Sequence, residues 1–254
     1  MKTLALLAAV SVLALGCSSA PPSDTTPEPP GPPEVRPAAI ERHAAQFADE
    51  LPERPPGSNE EQVAASYILG FLQQAGYPGR LDGVPFADLV RSTNVIGTPP
   101  DGGPPEYVVA VPYSTPPGQV LDAHSIGAFL EVARALNARD GTHLVEFVAL
   151  GAEFAEQEAG TLGSRTMASL LSEESVEPRV IYLSPVLSGD GFYARGPLDG
   201  DFDPEVPANE PPLHPAAQEA ARAFENEGFE VTLVGGDPVE VAVTLLEFLS
   251  TTSG

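Results

Sequence analysis

Residues 122–150 read DAHSIGAFLEVARALNARDGTHLVEFVAL, and the two halves of this stretch have different periods. From Ser125 to Arg139 apolar residues recur at Ile126, Phe129, Leu130, Ala133 and Leu136. That three-and-four spacing predicts a helix with one buried stripe. Leu144 to Leu150 is a short apolar run broken only by Glu146, and it reads as a strand. A helix followed by a short apolar strand is the unit of an α/β fold.

The same alternation extends outward in both directions. Upstream, apolar residues from Ala38 to Leu51 have helical spacing, Pro52 to Ser58 form a turn, and Asn59 is placed to cap a second helix. Glu60 and Glu61 lie in its first turn, where they favour the helix dipole, and Gly76 stops it. Thr93–Gly97 and Tyr107–Val111 read as strands. Downstream, Leu162–Leu171 reads as a helix, Val180–Leu183 as a strand, Pro215–Glu227 as a helix, Glu230–Val234 as a strand and Val239–Leu249 as a closing helix. Gly189 to Pro212, acidic and rich in proline and glycine, reads as a long surface loop. Strands alternating with helices predict a three-layer α/β/α sandwich around a mostly parallel sheet. Ligands of such sheets bind beyond the carboxyl ends of the strands, so the residues just after each strand are the candidates for chemistry.

The N-terminus has a different character. Lys2 precedes an apolar run from Leu4 to Leu15, and Gly16-Cys17 follows. The run has the length of a secretory signal and is short for a membrane span. A cysteine directly after it resembles a bacterial lipobox, which implies lipidation of Cys17 and attachment to a membrane in the cell envelope, facing periplasm or exterior. The chain therefore divides into a signal peptide at 1–16, a Pro/Ser/Thr-rich tether at 17–36 and an α/β domain at 37–254. The tether has no apolar periodicity and behaves as an extended spacer.

Lys2 is the sole lysine, and 12 Lys+Arg against 36 Asp+Glu give a formal net charge of −24. That balance excludes a nucleic-acid partner, whose phosphates need a positive surface. One cysteine in the whole chain excludes an intrachain disulfide and a cysteine-built zinc site.

The order of segments from Pro37 onward resembles the co-catalytic zinc aminopeptidases of metallopeptidase family 28, which also hold glutaminyl cyclases and some non-enzymatic ectodomains. The residues that carry the resemblance are Arg54-Pro-Pro-Gly57-Ser58 before the second helix and Asn94-Val95-Ile96 in a strand. They continue with Asp122 and Gly127 five residues on, Phe147-Val148 followed by Glu153, and Leu162-Gly163-Ser164. The resemblance implies two zinc ions held by two histidines and three carboxylates, with a separate glutamate as general base.

Carried over position by position, most of that set is replaced. The first histidine falls on Pro112, in Pro112-Tyr113-Ser114-Thr115. The bridging aspartate falls on Asp122 and is kept. The general base falls on Ala152, and the neighbouring ligand on Glu153, which is kept. The third carboxylate falls on Ser184. The last histidine has no counterpart, because Gly235-Gly236-Asp237-Pro238 leads straight into the closing helix, so the fold is truncated near its C-terminus. Asp122 and Glu153 are thus remnant ligands, His124 is a possible substitute, and no catalytic residue is assigned.

Plainer readings stand beside these. Asp122 is equally a turn residue or helix cap, Glu153 an exposed loop acid and His124 a solvated loop histidine. Glu156 and Glu158 are surface charge. His43 and His143 are structural, and His214 is exposed. Tyr113-Ser114-Thr115 is either a ligand-binding group or an ordinary loop. The expectation is an anchored envelope protein with an inactive aminopeptidase-like domain that binds or scaffolds a peptide or protein and needs no cofactor. The alternatives are a hydrolase with an altered metal site on Asp122, His124 and Glu153, and a module that recognises peptide N-termini without cutting them.

Overall fold

The computed structural model describes residues 33–86, 90–139, 141, 143–156, 160–197 and 213–252. The signal segment, Cys17, Glu158 and residues 198–212 of the long acidic stretch lie outside them. Helices α1 (Pro37–Glu50) and α2 (Asn59–Gln74) lead into strands β1 (Gly79–Phe86) and β2 (Val90–Gly97). Then come β3 (Tyr107–Pro112), α3 (His124–Asn137), β4 (Val145–Leu150), α4 (Leu162–Glu173) and β5 (Arg179–Leu183). β6 (Phe192–Arg195), α5 (Pro215–Asn226), β7 (Val231–Gly236) and α6 (Pro238–Thr251) complete the order.

The strands form one sheet in the order β1-β2-β4-β3-β5-β7-β6. The central four, β4, β3, β5 and β7, are parallel, and β1, β2 and β6 join antiparallel at the edges. β3 and, apart from Glu146, β4 are apolar, as strands buried on both faces are. On one face Val109, Val111, Phe147, Ala149 and Ile181 pack in the core shared with α1, α2, α3 and α6. On the other Val108, Ala110, Val148, Leu150, Val180 and Tyr182 pack against α4 and α5. This is the expected three-layer sandwich, with period-two alternation dividing each strand between two cores.

Several local expectations are corrected. Ser58, not Asn59, caps α2, its hydroxyl accepting from the Glu61 N–H at 3.0 Å. β1 went unread because it holds two glycines, a proline and two charges, a poor strand composition that pairing with β2 overrides. β6 lies inside the stretch read as a loop, where pairing with β7 supplies what local composition does not. Arg36, assigned to the tether, is fastened to α3. Its backbone N–H and guanidinium donate to the buried Glu131 at 2.8 to 3.0 Å, and Arg134 donates to the same carboxylate at 2.7 and 2.9 Å.

Two of the motif glycines have a steric reason. A Cβ at Gly127 would lie 2.6 Å from the Ile40 carbonyl oxygen, so α1 and α3 cross there only over glycine. A Cβ at Gly163 would lie 2.1 Å from the Gly151 carbonyl oxygen, so the start of α4 packs directly on the loop after β4.

Candidate functional site

β3 connects to β4 on one side and β5 to β7 on the other, so the topological switch lies between the carboxyl ends of β3 and β5. The loops that the resemblance marks leave the sheet around that point.

The first three residues after β3 are sealed. Tyr113, Ser114 and Thr115 are all buried. Tyr113 Oη donates to the Thr93 carbonyl at 2.6 Å, and Ser114 Oγ accepts from the Glu153 N–H at 3.1 Å. Arg54 is buried too. Its Nε donates to the Tyr113 carbonyl at 2.7 Å, its guanidinium lies over the Phe47 ring, and its N–H donates to Thr115 Oγ1 at 2.8 Å. Burial lowers its pKa to about 10. The Arg54-Pro-Pro-Gly57 motif therefore clamps this loop, and Tyr113-Ser114-Thr115 resolves as an internal strut with no open binding group.

Asp122 is a turn residue. Its Oδ1 accepts from the His124 N–H at 2.8 Å, the pattern of an Asx turn, while the α3 N-cap is Ala123. The His124 ring lies between two acids, Nδ1 2.7 Å from Asp122 and Nε2 3.1 Å from Glu41 on α1. Loss of hydration lowers the imidazole pKa, but hydrogen bonds to Asp122 and Glu41 outweigh it and hold it above its ordinary value.

Glu153 is corrected from an exposed acid to a buried one, only 2% exposed. Its Oε1 accepts from the Ser164 N–H at 2.6 Å, and its Oε2 from Ser164 Oγ at 2.9 Å and Tyr182 Oη at 3.2 Å. Ser164 lies in the first turn of α4, whose N-cap residue Thr161 makes no side-chain cap. Glu153 supplies that cap from outside the helix, with its carboxylate at the positive end of the dipole. Burial pushes its pKa up to about 7 against the pull of these donors.

Ala152, on which the resemblance places the base, is in the left-handed region with φ 52°. Its methyl is fully buried in a small cluster with Val84, Ala155 and Leu162. Its N–H donates to Glu61 Oε1 at 2.9 Å. Sequence reasoning missed the reach of Glu61, which is buried and also accepts from Ser92 Oγ at 2.7 Å and the Gly57 N–H at 2.6 Å. Ser58-Asn-Glu-Glu61 has the spacing of a capping box, which signals a contact within the first turn but not the reach to Ser92 and Ala152.

Ser184 is buried and its Oγ accepts from the His214 N–H at 3.4 Å. His214 is half-buried, not exposed, and caps α5 by accepting from the Ala216 N–H at 3.2 Å. At the last strand one residue, Asp237, separates β7 from α6, and its carboxylate caps the helix. His43 and His143 are buried, as their structural reading requires, and Glu156 is exposed.

The structure does not bring Asp122, His124 and Glu153 together as one donor set. Among the described residues no three His, Cys, Asp or Glu side chains gather closely enough to hold a metal ion.

No family model and no curated protein matches the chain. Solved structures do. A leucine aminopeptidase precursor from Bacteroides thetaiotaomicron aligns with a TM-score of 0.68 and 16% identity, over 86% of this chain and 98% of that one. A glutaminyl cyclase from the same organism aligns with a TM-score of 0.65 and 16% identity over the same shares. The LapA aminopeptidase of Legionella pneumophila aligns with a TM-score of 0.62 and 10% identity, over 86% of this chain and 71% of that one. The chain has the fold that these aminopeptidases and glutaminyl cyclases share.

Proposed function

We propose that this chain is a lipid-anchored envelope protein whose aminopeptidase-like domain binds or scaffolds a peptide or protein and does not cut it. The observation that carries the reading is Ala152. At the position of the general base stands a methyl group sealed among Val84, Ala155 and Leu162.

Zinc is the metal the resemblance implies, and the residues here do not fit it. A zinc site needs three or four nitrogen, sulfur or carboxylate donors converging on one point. Proline at 112 has no side-chain donor. Ser184 replaces a carboxylate and is engaged by the His214 N–H. The Glu153 carboxylate caps α4. Asp122 and His124 are bonded to each other, and Glu153 is not part of their cluster. These placements favour a binding or scaffold role over the altered-site hydrolase. Zinc content of the purified chain is the test: less than one ion per chain is expected, and one or more retained through mild dialysis overturns the reading.

The anchoring half of the proposal rests on the apolar run that ends at Gly16-Cys17. Metabolic labelling with a lipid precursor is expected to mark the wild type, and Cys17→Ser is expected to lose both the label and membrane association. Equal membrane association of the two without label contradicts it.

A further inference from the structure

Strand β1 contains a segment that mirrors itself in charge, Gly79-Arg80-Leu81-Asp82-Gly83. β1 is the last strand on its side of the sheet, and among the described residues it pairs only with β2. Its outer row of backbone N–H and C=O groups is a template for another strand. Leu81 is 50% exposed, one of three large hydrophobic side chains that the described residues leave out in solvent. Alternation along the strand puts Arg80 and Asp82 on one face of the sheet and Leu81 on the other. Arg80 lies on the α4 side, 3.7 Å from Glu174.

We propose that β1 pairs antiparallel with β1 of a second copy of this chain, about a two-fold axis at Leu81. In that register Arg80 of each copy stands opposite Asp82 of the other, and the two Leu81 side chains meet on the opposite face. Gly79 stands opposite Gly83, so no side chain obstructs either end. Opposite charges and apolar groups directly across an antiparallel pair are its stabilising contacts. Edge strands that avoid one another carry charges that repel or prolines within the paired stretch. Here the charges complement themselves under the two-fold, and Pro85 falls beyond the five paired residues. A two-fold contact of one surface with itself closes at the dimer and does not propagate. Five residues a side make a small interface, so the dimer is a weak, concentration-dependent one.

Sedimentation equilibrium of the whole chain in density-matched detergent tests this. The wild type is expected to show a monomer–dimer equilibrium. Arg80→Asp and Asp82→Arg, each placing like charges opposite one another, are expected to weaken it by about tenfold or more. An equimolar mixture of the two variants restores opposite charges across the strand pair and is expected to recover association. Three results overturn the proposal: a wild type that stays monomeric up to about 1 mM, a dimer indifferent to both variants, or single variants that fail to recover on mixing. Unchanged circular dichroism and melting of each variant establish that they are folded.

Discussion

Ala152→Glu is expected to destabilise the domain by about 4 kcal/mol or more and to create no aminopeptidase activity. The substitution restores the residue type that the resemblance places there, but not its surroundings. Position 152 is fully buried against Val84, Ala155 and Leu162, so the new carboxyl must displace them or lose its hydration. A loss of that size is a large fraction of the roughly 5–15 kcal/mol that holds a typical domain folded. Two of the positions where the resemblance puts metal ligands are Pro112 and Ser184, and a base without polarised water returns little rate. Thermal or urea melts measure the first effect, and hydrolysis of aminoacyl anilides with added zinc measures the second. A variant as stable as the wild type that turns over substrate in a zinc-dependent way contradicts both.

Glu153→Ala carries the second large effect. It leaves the Ser164 N–H, Ser164 Oγ and Tyr182 Oη without their acceptor in a sealed site. Each orphaned buried donor costs about 1–3 kcal/mol, so a loss of about 3 kcal/mol or more is expected at pH 5. Glu153→Gln keeps a carbonyl oxygen for these donors and is expected to be much milder, but it removes a pH dependence. The folded-state pKa of Glu153 is raised to about 7 by burial, above its value in the unfolded chain. A raised folded pKa gives stability that is complete below the unfolded pKa and lost as pH rises through the folded one. The wild type is therefore expected to lose about 3 kcal/mol relative to Glu153→Gln between about pH 4.5 and 7. Glu146, also raised to about 7 by burial, adds a slope of the same sign. His43, lowered by burial to about 4, opposes it, because a buried neutral imidazole loses stability as pH falls below its unfolded pKa. The difference between wild type and Glu153→Gln cancels both backgrounds. A flat difference across that range would mean that Glu153 titrates normally.

What could be read in advance follows the range of the forces involved. The helix over Ser125–Arg139 and the strand at Leu144–Leu150 are legible because burial imposes a period on the chain, and both are found within two residues at each end. Gly127 and Gly163 are legible as motif members because close backbone approach admits only glycine. β1 and β6 were hidden because each is an edge strand held by its neighbour and weakly favoured by its own residues. The direction of a side chain was hidden altogether. Glu153 follows a strand as a ligand should, yet its carboxylate turns to the N–H groups of α4, eleven residues on. Glu61 sits in a first turn as a dipole-favouring acid should, yet it also reaches the Ala152 N–H, 91 residues away. Contacts of that range depend on the assembled fold, and no local pattern announces them.

The central claim is that the remnant positions of this aminopeptidase-like fold no longer make a metal centre. Elemental analysis of the whole purified chain, exposed to zinc and then dialysed without a strong chelator, measures it most directly. The account predicts less than one zinc per chain, unchanged in Asp122→Asn. One or two tightly held ions per chain, lost in that variant, would contradict it.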